Sequence, residues 1–216
     1  MTVRRGFVWF AVLSVWLAAA APAGAHRLDE YLQATRLSIG VERVLLEIDL
    51  TAGVAVAEEV LAWIDTNRDG RISNDEGDAY ARDLLRSVVL SVDGQPVPIS
   101  VSEIRVPHLR EIRLGVGTIQ VRATVNVSGT GAGRHQIAYL NTHRSRWSLY
   151  LVNALVPADP GILIVGQQRD RAQHGLTLDY TVRANRPTAR TWSLLAALAM
   201  AGVLVVTRRP RSNRRP

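Results

Sequence analysis

The sequence of 216 residues predicts a mainly β protein. Its expected form is an antiparallel β-sandwich-like ectodomain with an inserted helix–loop–helix, followed by one C-terminal transmembrane helix. Three observations carry this. Apolar residues alternate with polar ones in several short runs bounded by turn residues, which is the period of half-buried strands. Between residues 54 and 88 that alternation gives way to helical spacing. Residues 191–207 are almost wholly apolar and are followed by Arg208, Arg209, Arg211, Arg214 and Arg215.

Taken from the N-terminus, residues 1–25 have the layout of a signal peptide. Arg4 and Arg5 precede an apolar run over residues 7–20, and Ala23-Gly24-Ala25 supplies the small-x-small site, so cleavage is expected before His26. The ectodomain is then residues 26–183. Leu37, Ile39 and Val41 alternate, as do Val44, Leu46, Ile48 and Leu50, which predicts a hairpin turning near Glu42-Arg43. Asp93-Gly94 supplies the positive φ angles of a tight turn, so residues 89–92 and 97–101 are expected to form a second hairpin. Further strands are expected at residues 119–127, 135–140, 148–156, 161–165 and 176–182, with a loop over residues 129–133.

The interruption is residues 54–88. Val60, Leu61 and Ile64 precede a polar loop, and Tyr80, Leu84, Leu85 and Val88 follow it at helical spacing. Residues 184–190, with Pro187, form a stalk. The 17 residues 191–207 reach roughly 25 Å as a helix, the short end of a bilayer span. Residues 208–216 form a basic cytoplasmic tail, which places the ectodomain in the periplasm or outside the cell on a single-pass anchor in the cytoplasmic membrane.

Charge and cysteine usage narrow the function classes. Every basic residue is arginine. Two arginines belong to the signal peptide and five to the tail, which leaves 19 against 19 acidic residues in the ectodomain and stalk together. The basic excess is therefore topogenic, and no nucleic-acid partner is expected. With no cysteine there is neither a disulfide framework nor a thiolate metal site. No nucleophile elbow, zinc-protease motif or phosphate-binding glycine loop is present, so no catalytic residue is assigned and the expected protein is not an enzyme.

The polar loop reads Asp65-Thr66-Asn67-Arg68-Asp69-Gly70-Arg71-Ile72-Ser73-Asn74-Asp75-Glu76. It matches D-x-[DN]-x-[DN]-G-x₅-E at each specified position. A Ca²⁺ ion takes six to eight hard oxygen ligands, and this spacing offers them. Asp65, Asn67 and Asp69 supply side-chain oxygens, Arg71 a backbone carbonyl, Ser73 a water-bridged contact, and Glu76 both carboxylate oxygens. Gly70 allows the sharp turn. Ile72 is expected either to pack on the β domain or to pair with the loop of a second chain. For a loop without a second of its kind, the expected affinity is roughly 10⁻⁴–10⁻³ M, the range of extracellular modules.

Cleavage after Ala25 gives His26 a free α-amine, which with its imidazole chelates copper or nickel. Among His108, His135, His143 and His174, His143 is the candidate to add a further nitrogen. This forms the alternative expectation: a periplasmic copper- or nickel-handling, or transport-accessory, protein.

The loop resembles the EF-hand superfamily, over about a tenth to a sixth of the chain with its flanking helices. The segments His26-Arg27-Leu28-Asp29-Glu30-Tyr31-Leu32-Gln33 and Ser148-Leu149-Tyr150-Leu151-Val152-Asn153-Ala154-Leu155 resemble parts of uncharacterised exported bacterial proteins. The ectodomains of those proteins are similar to the periplasmic part of the hydrogenase/urease accessory nickel-transporter type. The resemblance implies a β-rich periplasmic module, while the single C-terminal span expected here departs from a multi-span transporter. The partners implied are the cytoplasmic membrane itself and either a membrane protein or a second copy met through the unpaired loop.

Overall fold

The computed structural model describes residues 29–127 and 131–184. The expected signal peptide, His26, most of the stalk, the span at 191–207 and the tail lie outside them. The described chain is mainly β, with ten strands in two five-stranded sheets. In chain order these are β1 (Tyr31–Ile39), β2 (Arg43–Ala52), a 3-10 turn (Val54–Val56), α1 (Ala57–Ile64), α2 (Asn74–Arg86), β3 (Val88–Val92), β4 (Gln95–Pro96), β5 (Ile99–Arg105), α3 (Leu109–Arg113), β6 (Thr118–Asn126), β7 (Gly133–Asn141), β8 (Ser148–Ala154), β9 (Ile162–Arg169) and β10 (Gly175–Val182). One sheet has the order β5-β6-β2-β1-β8 and the other β4-β3-β7-β10-β9. All pairs are antiparallel except β1 with β8, which run parallel from Tyr31 beside Ser148 to Leu37 beside Ala154.

Alternation dictates which face each strand buries. Leu46, Ile48 and Leu50 of β2, Ile119, Val121 and Val125 of β6, and Leu176, Leu178 and Tyr180 of β10 all point inward and join one core with Val60, Leu61, Ile64 and Leu84 of the helices. Each such side chain contributes about 1.5–3 kcal/mol when fully buried. The opposite face of the first sheet carries a charged ladder, in which Arg36 pairs with Glu47 and Asp49, and Arg122 with Glu47 and Glu103, beside exposed Leu45, Leu149 and Leu151.

Four expectations are corrected. The first strand ends at Ile39, so Val41 is in the turn and 38% exposed rather than a third inward residue. Val88 begins β3 instead of closing the second helix. Asp93 and Gly94 do form a tight turn, with φ of 51° and 79°. The returning arm, however, stays on β3 only as far as Val97, whose N–H donates to the Leu90 carbonyl at 3.0 Å, and β5 crosses to the other sheet, where Ile99 pairs with Val125. Pro98, fixed in φ and without an N–H, stands where the arm leaves β3. Finally, the short α3 lies in a stretch where no element is expected from the sequence.

The two helices sit between β2 and β3, as the change of period predicts. Among the described residues, no helix is long and apolar enough to cross a membrane.

Candidate metal loop and the buried network beneath it

Residues 65–73 connect α1 to α2 at the end of the fold where β2 finishes. Asp65 caps α1 by donating its backbone N–H to the Leu61 carbonyl at 2.8 Å. The chain then reverses through Arg68 and Gly70, both in the left-handed region at φ 61° and 77°. A side chain at Gly70 would meet nothing within 4 Å, so glycine is needed there for its backbone alone.

The motif side chains turn onto this reversed backbone. The two carboxylate oxygens of Asp65 accept from the amides of Asp69 (3.1 Å) and Gly70 (3.0 Å). Asn67 Oδ1 accepts from Asp69 N–H at 2.8 Å, and Asp69 Oδ1 from Arg71 N–H at 2.8 Å. Glu76 reaches across the loop. Its Oε1 accepts from Thr66 N–H (3.0 Å), the Thr66 hydroxyl (3.2 Å) and Asn67 N–H (3.3 Å). Its Oε2 accepts from Ser73 N–H (3.0 Å) and the Ser73 hydroxyl (2.8 Å).

Ser73 and Glu76 together make a capping box, with Ser73 Oγ also accepting from Glu76 N–H. The sequence signal for it is Ser73-x-x-Glu76, which accounts for Ser73 here as a helix cap. Glu76 is 8% exposed, and its carboxyl is held down to about 2, chiefly by the Ser73 amide and hydroxyl, against the opposing effect of burial.

The fit to a calcium ion follows from these facts. The donors are all hard oxygens, and the backbone adopts the two left-handed residues that the reversal needs. Glu76 already spans the loop from exit helix to entry. The carboxylates are nevertheless engaged with amides: no group of three His, Cys, Asp or Glu side chains among the described residues stands at metal-holding spacing. Ile72 packs against the core and, with Ile104 and Val106, lines a cleft of about 350 Å³ beside α2. Ile72 thus packs on the β domain, as one of its two expected placements has it.

Directly behind the loop lies a buried polar network that the sequence reading missed. Tyr80, one helical turn beyond Glu76, hydrogen-bonds the Tyr31 hydroxyl at 2.6 Å and His143 Nε2 at 3.3 Å. The His143 carbonyl accepts from Gln33 Nε2 and from the Tyr150 hydroxyl, both at 2.7 Å. Asn141 Nδ2 donates to Gln33 Oε1 at 3.0 Å, and Thr35 bonds the Tyr139 hydroxyl at 2.9 Å. Gln33, Thr35, Asn141 and His143 are each at most 3% exposed.

His143 is therefore a core residue. Burial holds its imidazole down to about 4, and the nearby Arg144 guanidinium adds to this. Its Nε2 faces a tyrosine hydroxyl, with the Tyr80 ring packed edge-on at 5.7 Å. His26, its proposed copper or nickel partner, lies outside the described residues. Next to His143, Arg144 stacks over Trp63 of α1 at 4.6 Å and donates to Asp83 of α2 at 3.0 Å, tying the β7–β8 connection to both helices.

A second polar cluster lies elsewhere, in a cleft of about 400 Å³ lined by Asp93, Arg134, His135 and Asp179. There His135 bonds Asp93 Oδ2 through Nδ1 and the Gly131 carbonyl through Nε2, both at 2.8 Å. Both partners are acceptors, which favours the imidazolium and raises the His135 pKa.

Scans against protein-family models, curated proteins and solved structures each find no match to this chain. Function is therefore argued from the site alone.

Proposed function

We propose that this chain is a non-catalytic calcium-binding module of the EF-hand type, held at the outer face of the cytoplasmic membrane by residues 191–207, in which the ion fastens the α1–α2 pair. The observation that carries the reading is the inward turn of Asp65, Asn67, Asp69 and Glu76 onto one reversed loop. These residues, with the Arg71 carbonyl and Ser73, would hold the ion. Bound calcium supplies a compact positive charge to which the loop's oxygens bind in place of amides.

A structural role is favoured over a sensor role by what stands behind the loop. Tyr80 and Arg144 attach α2 to the core through Tyr31, His143, Asp83 and Trp63, so opening of the helix pair would break buried hydrogen bonds. The free energy of binding then becomes folding free energy of the loop.

The test is a calcium titration followed by NMR. Shifts centred on residues 65–76 and confined to 54–88 are expected. Shifts that leave the loop unmoved contradict calcium binding, and shifts that spread over a newly exposed apolar groove contradict the structural role.

A further inference from the structure

The described chain leaves the fold at Ala184, two residues beyond β10, and backbone pairing fixes what shares that end. Val182 pairs with Gly133 and Ile162, and Arg183 N–H donates to the Gly161 carbonyl at 2.8 Å. The β8–β9 connection therefore lies beside the exit. Leu155 N–H donates to the Leu37 carbonyl at 2.8 Å, which brings the β1–β2 turn to the same end. The 65–76 loop is at the opposite end. Its entry helix follows Ala52, which pairs with Tyr31, and its exit helix leads to Val88, which pairs with Asn141.

The exit end is apolar where water would favour polar side chains. Val156 is 92% exposed, Leu163 54% and Leu155 38%. The connection is a built turn: Asp159 Oδ1 accepts from Gly161 N–H at 2.7 Å, and Ile162 N–H donates to the Asp159 carbonyl at 3.0 Å. Val54, Leu114 and Val116, at 50, 57 and 71% exposed, make a comparable group at the opposite end, so it is the chain's exit towards residues 191–207 that singles out this end. Arg183, Arg186 and Arg190 follow in sequence, then the apolar residues 191–207. The seven residues 184–190 reach at most roughly 25 Å when extended, which keeps this end close to the apolar segment.

We infer that the β8–β9 connection, with Val156 at its tip, seats in the headgroup region of an anionic bilayer beside the chain's own C-terminal span. The inference rests on the membrane-anchored reading above. Apolar side chains enter the interface while Arg183, beside the connection, meets lipid phosphate. The contact orients the molecule, so that the 65–76 loop faces away from the membrane.

The chain has no cysteine, so Val156→Cys and Val89→Cys each introduce a single attachment point for an environment-sensitive fluorophore. Val89, 53% exposed and paired with Leu140 near the opposite end, is the control. The full chain is reconstituted in vesicles of phosphatidylglycerol and phosphatidylethanolamine. The label at Val156 is expected to lose most of its emission to lipid-attached quenchers and to be shielded from aqueous iodide, and the label at Val89 to show the reverse. Equal iodide quenching of both labels on vesicle-bound protein overturns the inference and leaves the anchor standing. A chain that does not float with vesicles overturns both. Shielding of Val156 without lipid quenching assigns the turn to a second copy and also overturns it.

Discussion

At Glu76, donors from Thr66, Asn67 and Ser73 surround a single carboxylate, and the same carboxylate is the one the motif assigns to calcium. Its folded-state pKa of about 2 lies below the ordinary 4.5. The stabilisation is therefore complete above pH 4.5 and is lost as pH falls from there towards 2. Glu76→Gln is expected to flatten the acid limb of a denaturation-midpoint series over that window; an unchanged limb contradicts the clasp. His143 acts over a different window. Its pKa is depressed from 6.5 to about 4, so the neutral form is stabilised by folding. The unfolded chain binds the extra proton, and stability falls as pH drops from 6.5 to 4, by up to about 3 kcal/mol. In His143→Gln that slope should be absent. If the slope persists, another group carries it.

At the scale of elements, α2 links the loop to the core, and the link is the Tyr80 hydroxyl. Tyr80→Phe keeps the ring but leaves the Tyr31 hydroxyl and His143 Nε2 short of a partner. The expected loss is about 1–3 kcal/mol by urea denaturation. A change within a few tenths of a kcal/mol would show that the network is not under load. The elements differ in how far the sequence discloses them. Strands β2, β6 and β10 are legible because each inward position is apolar. β1 hides its first half, since Gln33 and Thr35 occupy inward positions and break the alternation. They are satisfied by Asn141, His143, Ser148 and Tyr139, all more than 100 residues away. No local pattern encodes such partners. The crossing of β5 was readable in part, from Pro98. The candidate loop is legible in full as a motif, because its spacing is local. The Ser73–Glu76 cap was equally legible as S-x-x-E. The attachment of α2 to His143 was not.

At the scale of the whole molecule, the proposed calcium loop and the chain exit lie at opposite ends of the fold. One end carries the 65–76 loop, with the buried network beneath it. The other carries the chain exit and the apolar β8–β9 connection. Calcium acting as a fastener must then raise global stability by linkage alone. At a tenfold excess over its Kd, calcium is expected to add about 1.4 kcal/mol, visible as a higher Tm that a chelator reverses. A Tm indifferent to calcium and chelator contradicts the structural role.

The most direct test is a calorimetric calcium titration of the purified chain beside Glu76→Gln. One saturable site is predicted, with a Kd of roughly 10⁻⁴–10⁻³ M, absent in the variant. No heat of binding at calcium several-fold above about 10⁻³ M, or equal binding by both proteins, would contradict the account. The 65–76 loop would then be a capped turn held by its own amides.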